Sequence, residues 1–343
     1  MTQQGEVVIF FTGGTITMKP RTDAPGVAPG GDFDRLIEEL HLPNTPVKLK
    51  PVVWGDRPSP HMTPALMFDL AKDVSRALAD PNILGAVILH GTDLLVESAF
   101  MADLVVESPK PVVYTGSMRF YSELGYDGIR NLLGGIKACL LPLPPEVGVV
   151  LLMTDRLFSA REAVKINSLN LDAFEAPGSG PVGYIAGDTV LLTRRPREHV
   201  VPIKAVGIEN NVAMVACYPG MNTALMDHLR EKGVAGLVVE GFGAGNVPPG
   251  AVPGLDRLVQ EGIPVVLTTR CVDGGVWPMY GYPGGGAELE RMGVILGGRL
   301  TAHKAQLLLM VALGTTRDPD EIRRVFEWGN LWPGPSSRSI RPS

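Results

Sequence analysis

Cysteine and histidine are scarce in this chain, and their spread excludes several kinds of chemistry. The three cysteines, Cys139, Cys217 and Cys271, are odd in number and far apart. Without C-x-x-C spacing they read as reduced thiols, not as a disulfide framework or a zinc site. The six histidines form no H-x-H or H-x-x-x-H pair, so no bound metal is expected. Lysine and arginine form no basic stripe, and the formal net charge is −5; a nucleic-acid partner is therefore not expected. No uncharged apolar run reaches the ~18–20 residues of a membrane span. The first six residues carry no basic n-region, and the apolar run behind them breaks at Thr12-Gly13-Gly14, which argues against a signal peptide. A soluble cytoplasmic protein is the expectation.

What is present suits a loop-rich globular protein: 343 residues, 45% of them hydrophobic and 20% charged, with 41 glycines and 30 prolines. That length accommodates two domains of about 100–200 residues each. Apolar, β-branched runs at 7–11, 47–54, 85–90, 111–115 and 147–153 predict strands. Helical patterns at 33–40, 63–79, 94–107 and 127–140 lie between them. Pro64 directly after Thr63 marks a helix start. Such alternation predicts a parallel sheet with helices on both faces. Gly187-Asp188 between alternating residues predicts a β-hairpin over 182–193.

The stretch Arg194-Arg195-Pro196-Arg197 turns basic and aperiodic and reads as the start of a connector. Beyond it, strands are expected at 212–218, 236–240 and 264–269, and helices at 222–232, 255–261, 302–313 and 319–328. The predicted fold class is α/β. A larger N-terminal domain (1–193) has a mainly parallel sheet flanked by helices, plus the hairpin. A linker (194–209) leads to a smaller C-terminal α/β domain (210–330) with its own parallel sheet, and 331–343 form a flexible tail.

Two motifs follow strands. Thr12-Gly13-Gly14-Thr15-Ile16 comes after the first, and His90-Gly91-Thr92-Asp93 after the third. Ligand sites in parallel α/β sheets form at such carboxyl ends. The glycines could cradle a phosphate, but the dinucleotide fingerprint needs a following helix, and Pro20 and Pro25 oppose one. No cofactor is expected. The stretch from Thr17 to Gly31 reads instead as a flap. A threonine hydroxyl is a poor nucleophile unless a base or strong field activates it. Asp93 beside Thr92 could supply that field, or could simply cap the helix starting near Leu94.

These motifs resemble the two signatures of the bacterial-type L-asparaginase family, and others follow in order. Thr115-Gly116-Ser117-Met118-Arg119 resembles its T-G-[SA]-x-R turn, and Asp127-Gly128 with Asn131 its D-G-x-x-N. Arg161 to Lys165 is similar to R-x-x-x-K, and Gly241 to Asn246 to G-x-G-x-G-N. The resemblance implies an amidohydrolase that converts L-asparagine to L-aspartate and ammonia, with Thr15 as nucleophile and Thr92, Lys165 and Asp93 as a second catalytic group. It implies substrate contacts from Gly14, Ser59, Thr92, Asp93, Ser117 and Asn246, and an oxyanion hole of backbone N–H groups near Gly14 and Thr92. A homodimer or homotetramer is implied as well. Taken alone, Lys165 reads as a surface lysine and Ser59 as an ordinary loop serine.

The chain departs from the family pattern in places. No tyrosine occurs between Met1 and Val113, so the flap tyrosine of many members is missing. The cytoplasmic type I members carry a tyrosine nine residues after a cysteine, and Tyr280 stands so after Cys271; Tyr280 is thus the implied hydroxyl partner of Thr15. Leu94 replaces the last threonine of H-G-T-D-T, and Pro60 replaces a residue that in some members supplies an amide to the substrate. Preference for glutamine or another amide is one alternative. A non-catalytic amino-acid sensor is the other, though binding alone does not call for two activated hydroxyls.

Overall fold

The run Val7–Phe11 is apolar at every position, as a strand covered on both faces must be, and it lies inside the larger sheet. The structure is a computed structural model that describes residues 5–20, 27–28, 33–40, 47–141, 143–197 and 202–327. It divides into two units, Met1–Pro196 with Val200–Ile208, and Arg197–His199 with Glu209–Ser343.

In the first unit, β1 (Gly5–Phe11) is followed by a short antiparallel pair, β2 (Lys19–Pro20) and β3 (Val27–Ala28). Then come β4 (Val47–Val53), β5 (Ile83–Leu89), β6 (Val112–Thr115) and β7 (Val150–Met153). After them follow β8 (Arg156–Ser159), β9 (Val164–Lys165), β10 (Phe174–Glu175), β11 (Gly183–Ala186) and β12 (Thr189–Leu192). The main sheet runs β12-β11-β8-β7-β6-β5-β1-β4. The five strands from β7 to β4 are parallel, and β8, β11 and β12 extend the sheet antiparallel.

Four helices cover the sheet: α1 (Phe33–Glu38), α2 (Pro64–Leu78), α3 (Leu95–Val105) and α4 (Gly128–Leu140). Successive strand residues face opposite sides. Val7, Ile9, Phe11, Val87 and Leu89 pack with Leu36 and Leu40 near α1 and with Leu132 and Ile136 of α4 in one core. The other side is covered by α2 and α3. Thr63 caps α2, its hydroxyl accepting from Leu66 N at 3.3 Å, with Pro64 in the first turn. Every residue of α3 except Glu97 is buried, which a helix without a polar face requires.

The structure departs from the sequence reading at several points. The strand expected from 147 begins at Val150, because Pro145–Val147 form a 3-10 turn. Gly148 follows at φ +66°, where an added Cβ would stand 2.4 Å from Asp103 Oδ1. Strand β8 escaped notice because its hairpin turn uses Thr154 (φ 48°) and Asp155 (φ 62°) in place of glycine. Within the segment expected as a linker (194–209), Arg194 donates to Glu162, Ile203 N donates to Leu104 O, and Ile203 and Ala205 are buried. Of the expected flap, Thr17 ends a 3-10 turn and residues 19–20 and 27–28 form the β2–β3 pair; residues 21–26 and 29–31 lie outside the described residues.

The second unit has a parallel sheet ordered β13 (Val212–Ala216), β14 (Gly236–Gly241), β15 (Val265–Thr269), β16 (Ile295–Leu296). Its helices are α5 (Ala224–Glu231), α6 (Val252–Gln260), α7 (Gly286–Met292), α8 (Ala302–Leu313) and α9 (Pro319–Glu327). Met226 of α5, Leu255 and Leu258 of α6 and Leu289 of α7 share a core with Leu237, Val239, Val265 and Leu267. The sequence reading missed α7 and β16, which are short and bounded by glycines that read as loop. Trp328 and the tail expected after it lie outside the described residues. No helix among the described residues is long and apolar enough to cross a membrane.

Candidate active site

The parallel strands of the first unit run in the order β4-β1-β5-β6-β7. The chain passes from β1 outward to β4 on one side and then to β5 on the other. The strand order therefore reverses between β1 and β5, and at the carboxyl end of such a switch point the two outgoing loops part and leave a crevice. The loops that leave β1 and β5 there are Thr12–Thr15 and His90–Asp93.

Each loop is fixed from below. Thr12 Oγ1 donates to Leu89 O at 2.9 Å and Thr12 N to the same oxygen at 3.1 Å, which ties the end of β1 to β5. Gly14 has φ 93°, a conformation L side chains rarely adopt. A Cβ there would stand 2.4 Å from both Cα and N of Gly91. The two loops thus touch backbone to backbone, and Thr15 and Thr92 follow the contact on either side. Thr15 opens a 3-10 turn and is half-buried. Its hydroxyl has no hydrogen-bond partner among the described residues.

Thr92 is buried, and its hydroxyl accepts a hydrogen bond from Lys165 Nζ at 3.0 Å. The same ammonium donates to Asp93 Oδ1 at 2.9 Å. Lys165 reaches both from β9, where it pairs with Phe174 of β10. A short strand pair, rather than an exposed helix face, is what carries this lysine inward. Because an ammonium only donates, the hydroxyl proton of Thr92 must point away from Lys165.

Asp93 does not cap α3: that position falls on Leu94, with no side-chain cap. Its carboxylate is 62% exposed, and Oδ2 has no partner among the described residues. Asp93 N donates to Ser59 Oγ at 3.2 Å. Ser59 is buried, and with its oxygen accepting there its own proton is available to another acceptor.

Ser117 stands apart from this group. It is buried, and its hydroxyl donates to Arg119 O at 2.7 Å within its own loop. That loop is braced by Asp127, which accepts from Met118 N and Arg119 N, and by Asn131, which donates to Gly116 O at 2.9 Å. The T-G-S-x-R and D-G-x-x-N motifs are thus two halves of one brace. Sequence reasoning missed Tyr126, whose hydroxyl donates to Ile16 O at 2.9 Å, next to Thr15. Burial, with Asp127, Tyr121 and Glu39 nearby, raises its pKa well above the usual phenol range. No pattern in the chain links residues so far apart.

Asn246 and Tyr280 belong to the second unit. Asn246 sits at the end of a tight turn, its N–H bonded to Phe242 O at 2.9 Å, and its buried Oδ1 has no donor among the described residues. Tyr280 lies in a loop, 40% exposed, with its ring 5.4 Å from that of Tyr282.

Known proteins match this chain along nearly all of its length. Residues 6–198 match the family described as Asparaginase, N-terminal, and residues 211–326 the Glutaminase/Asparaginase C-terminal domain. An L-asparaginase of Bacillus licheniformis is 32% identical over 319 residues, 91% of this chain and 97% of that protein. A probable L-asparaginase of Deinococcus radiodurans is 34% identical over 332 residues, 94% of this chain and 97% of that protein. The crystal structure of a probable cytoplasmic L-asparaginase from Campylobacter jejuni superimposes with a TM-score of 0.82 at 29% identity. It covers 94% of this chain and 99% of that one.

Proposed function

The chain belongs to the asparaginase family, and on that premise we propose that it hydrolyses the side-chain amide of L-asparagine through an acyl-enzyme on Thr15. The observation that carries the reading is the Lys165 ammonium shared between Thr92 Oγ1 and Asp93 Oδ1, on the loop that Gly14 touches. A binding pocket gains nothing from a polarised, buried hydroxyl beside an unpartnered one, whereas acyl transfer needs both.

In this reading the substrate zwitterion is held at both ends. Its α-ammonium meets the open Oδ2 of Asp93, and its α-carboxylate takes the hydroxyl proton of Ser59. By the family resemblance Asn246 reaches the substrate bound by a neighbouring subunit, its Oδ1, buried without a donor among the described residues, serving as a further acceptor. Thr15 Oγ attacks the side-chain carbonyl carbon. A C–O bond forms, the carbonyl oxygen takes up negative charge, and the hydroxyl proton passes to the amide nitrogen. The C–N bond then breaks and ammonia leaves. Water attacks the resulting ester, its proton restores the Thr15 hydroxyl, and aspartate departs.

Thr92 contributes twice. Its hydroxyl, polarised by Lys165, relays a proton toward the reacting atoms, and its backbone N–H faces the developing oxyanion. The role of further proton carrier falls to the phenol of Tyr280 on the family resemblance alone. Ammonia release from L-asparagine and L-glutamine by the wild type and by Thr15→Ala tests the reading. Release from asparagine by the wild type alone supports it, and release from neither amide overturns it. Faster release from glutamine would assign the glutaminase alternative.

A further inference from the structure

His90 takes no part in the chemistry above, yet it is buried in the strand end that carries Thr92. Both ring nitrogens are engaged, Nδ1 with Gly91 O at 2.8 Å and Nε2 with Ser98 Oγ at 2.9 Å. A carbonyl oxygen only accepts, so Nδ1 carries the proton and Nε2 is the acceptor, taking the hydroxyl proton of Ser98. Ser98 is fully buried on α3. The backbone around the ring is held as well. His90 N is bonded to Thr115 O at 2.9 Å, and the Tyr114 ring lies 6.4 Å away. Gly116 is so close that a Cβ would stand 2.4 Å from His90 O.

The Gly91–Thr92 peptide is planar and trans, so its C=O and N–H point in opposite directions. Holding the Gly91 carbonyl on the buried imidazole turns the Thr92 N–H away from the interior. That N–H has no acceptor among the described residues, although Thr92 is 6% exposed. A nearly buried, unpaired donor is uncommon in folded proteins. It is what an oxyanion site requires before substrate arrives, because donors fixed in advance need no rearrangement as charge develops.

We propose that His90, locked by Ser98, is a positioning residue that orients the Gly91–Thr92 peptide so that the Thr92 N–H is aimed at the oxyanion. The proposal rests on the acyl-transfer reading of Thr15. It predicts a transition-state effect: the imidazole never touches the substrate, so its loss lowers kcat and leaves ground-state binding in place.

The two amide side chains separate this role from simple packing. Asparagine places its Nδ2 donor near the position of imidazole Nδ1, whereas glutamine places its amide near Nε2. In full-length protein, His90→Asn should keep kcat for L-asparagine within about threefold of wild type, while His90→Gln should lower kcat about 10–100-fold, short of the 10²–10³-fold for losing a donor outright. KM should move less than threefold in both. Ser98→Ala removes the donor that fixes the tautomer and should give an intermediate loss of kcat. It serves as the second variant if His90→Gln does not fold, with circular dichroism and Tm recorded for each.

Equal kcat in the asparagine and glutamine variants, or losses that track Tm alone, would overturn the proposal. If His90→Gln and Ser98→Ala keep full kcat while Thr15→Ala is inactive, the proposal fails and the nucleophile assignment stands. If Thr15→Ala keeps full turnover, that assignment fails, and the proposal with it.

Discussion

Replacing Lys165 with Met removes one cation that serves two acceptors and keeps most of the side-chain volume. The side chain is 19% exposed and Asp93 is 62% exposed. An ion pair so open to water contributes about 0–1 kcal/mol to stability, so the variant should fold with a Tm close to wild type. The cost in rate is larger. Hydrogen bonds to a charged group are worth about 1.5–3 kcal/mol each, and the bond to Thr92 Oγ1 at 3.0 Å strengthens as that hydroxyl gives up its proton. Losing it, together with the proton relay it supports, should lower kcat by about 10²–10⁴. Steady-state ammonia release measures kcat, and calorimetric binding of L-aspartate to wild type and variant measures ground-state affinity. Thr92→Val should cost a similar factor, and the double variant no more than the larger single loss, because residues acting as one unit are not additive. A Lys165→Met enzyme within threefold of wild-type kcat would refute the reasoning. So would a loss matched by a fall in folded fraction.

Three further outcomes are expected. Gly14→Ala places a Cβ 2.4 Å from Gly91 Cα and N at φ 93°; no side chain can yield there, so ammonia release should be lost and urea unfolding should show a penalty above about 1–3 kcal/mol. Tyr280→Phe should lower kcat at least about tenfold if its hydroxyl transfers protons, with Tm unchanged; turnover within twofold of wild type would remove it from the mechanism. His90 is buried and its pKa is pushed down to about 4 by desolvation. The unfolded chain then binds a proton near pH 6.5 that the folded chain refuses until about pH 4. Stability is therefore complete above pH 6.5 and declines by up to roughly 3 kcal/mol as pH falls toward 4. Urea titrations at pH 7 and 4.5 should show that decline, and His90→Asn should reduce it.

The sequence patterns that carried the fold are those in which every residue points the same way. Val7–Phe11 and Ala86–Leu89 are continuous apolar runs and became adjacent central strands. Thr63-Pro64 became a capped helix start. Where structure depends on partners distant in the chain, pattern was silent. Strand β8 turns on Thr154 and Asp155, whose positive φ no glycine announces. The pair β9–β10 is two residues long on each side, below what periodicity detects.

The candidate site divides in the same way. Thr15, Thr92 and Asp93 stood out because glycines and strand ends framed them. The contact of Lys165 with Thr92 joins residues that only the folded chain brings together, and only the family resemblance had singled the lysine out. Tyr126 under Ile16 and Ser98 behind His90 left no trace, since a tyrosine near a helix and a serine within one are commonplace. Their meaning lies in the atoms they meet.

The most direct measurement is ammonia release from L-asparagine by wild type and Thr15→Ala at matched folded concentration. The Thr15 hydroxyl makes no hydrogen bond among the described residues and the residue is half-buried, so its truncation should leave Tm nearly unchanged. The account predicts turnover in the wild type and a loss of at least about 10³-fold in the variant. Turnover by Thr15→Ala within tenfold of wild type would contradict it.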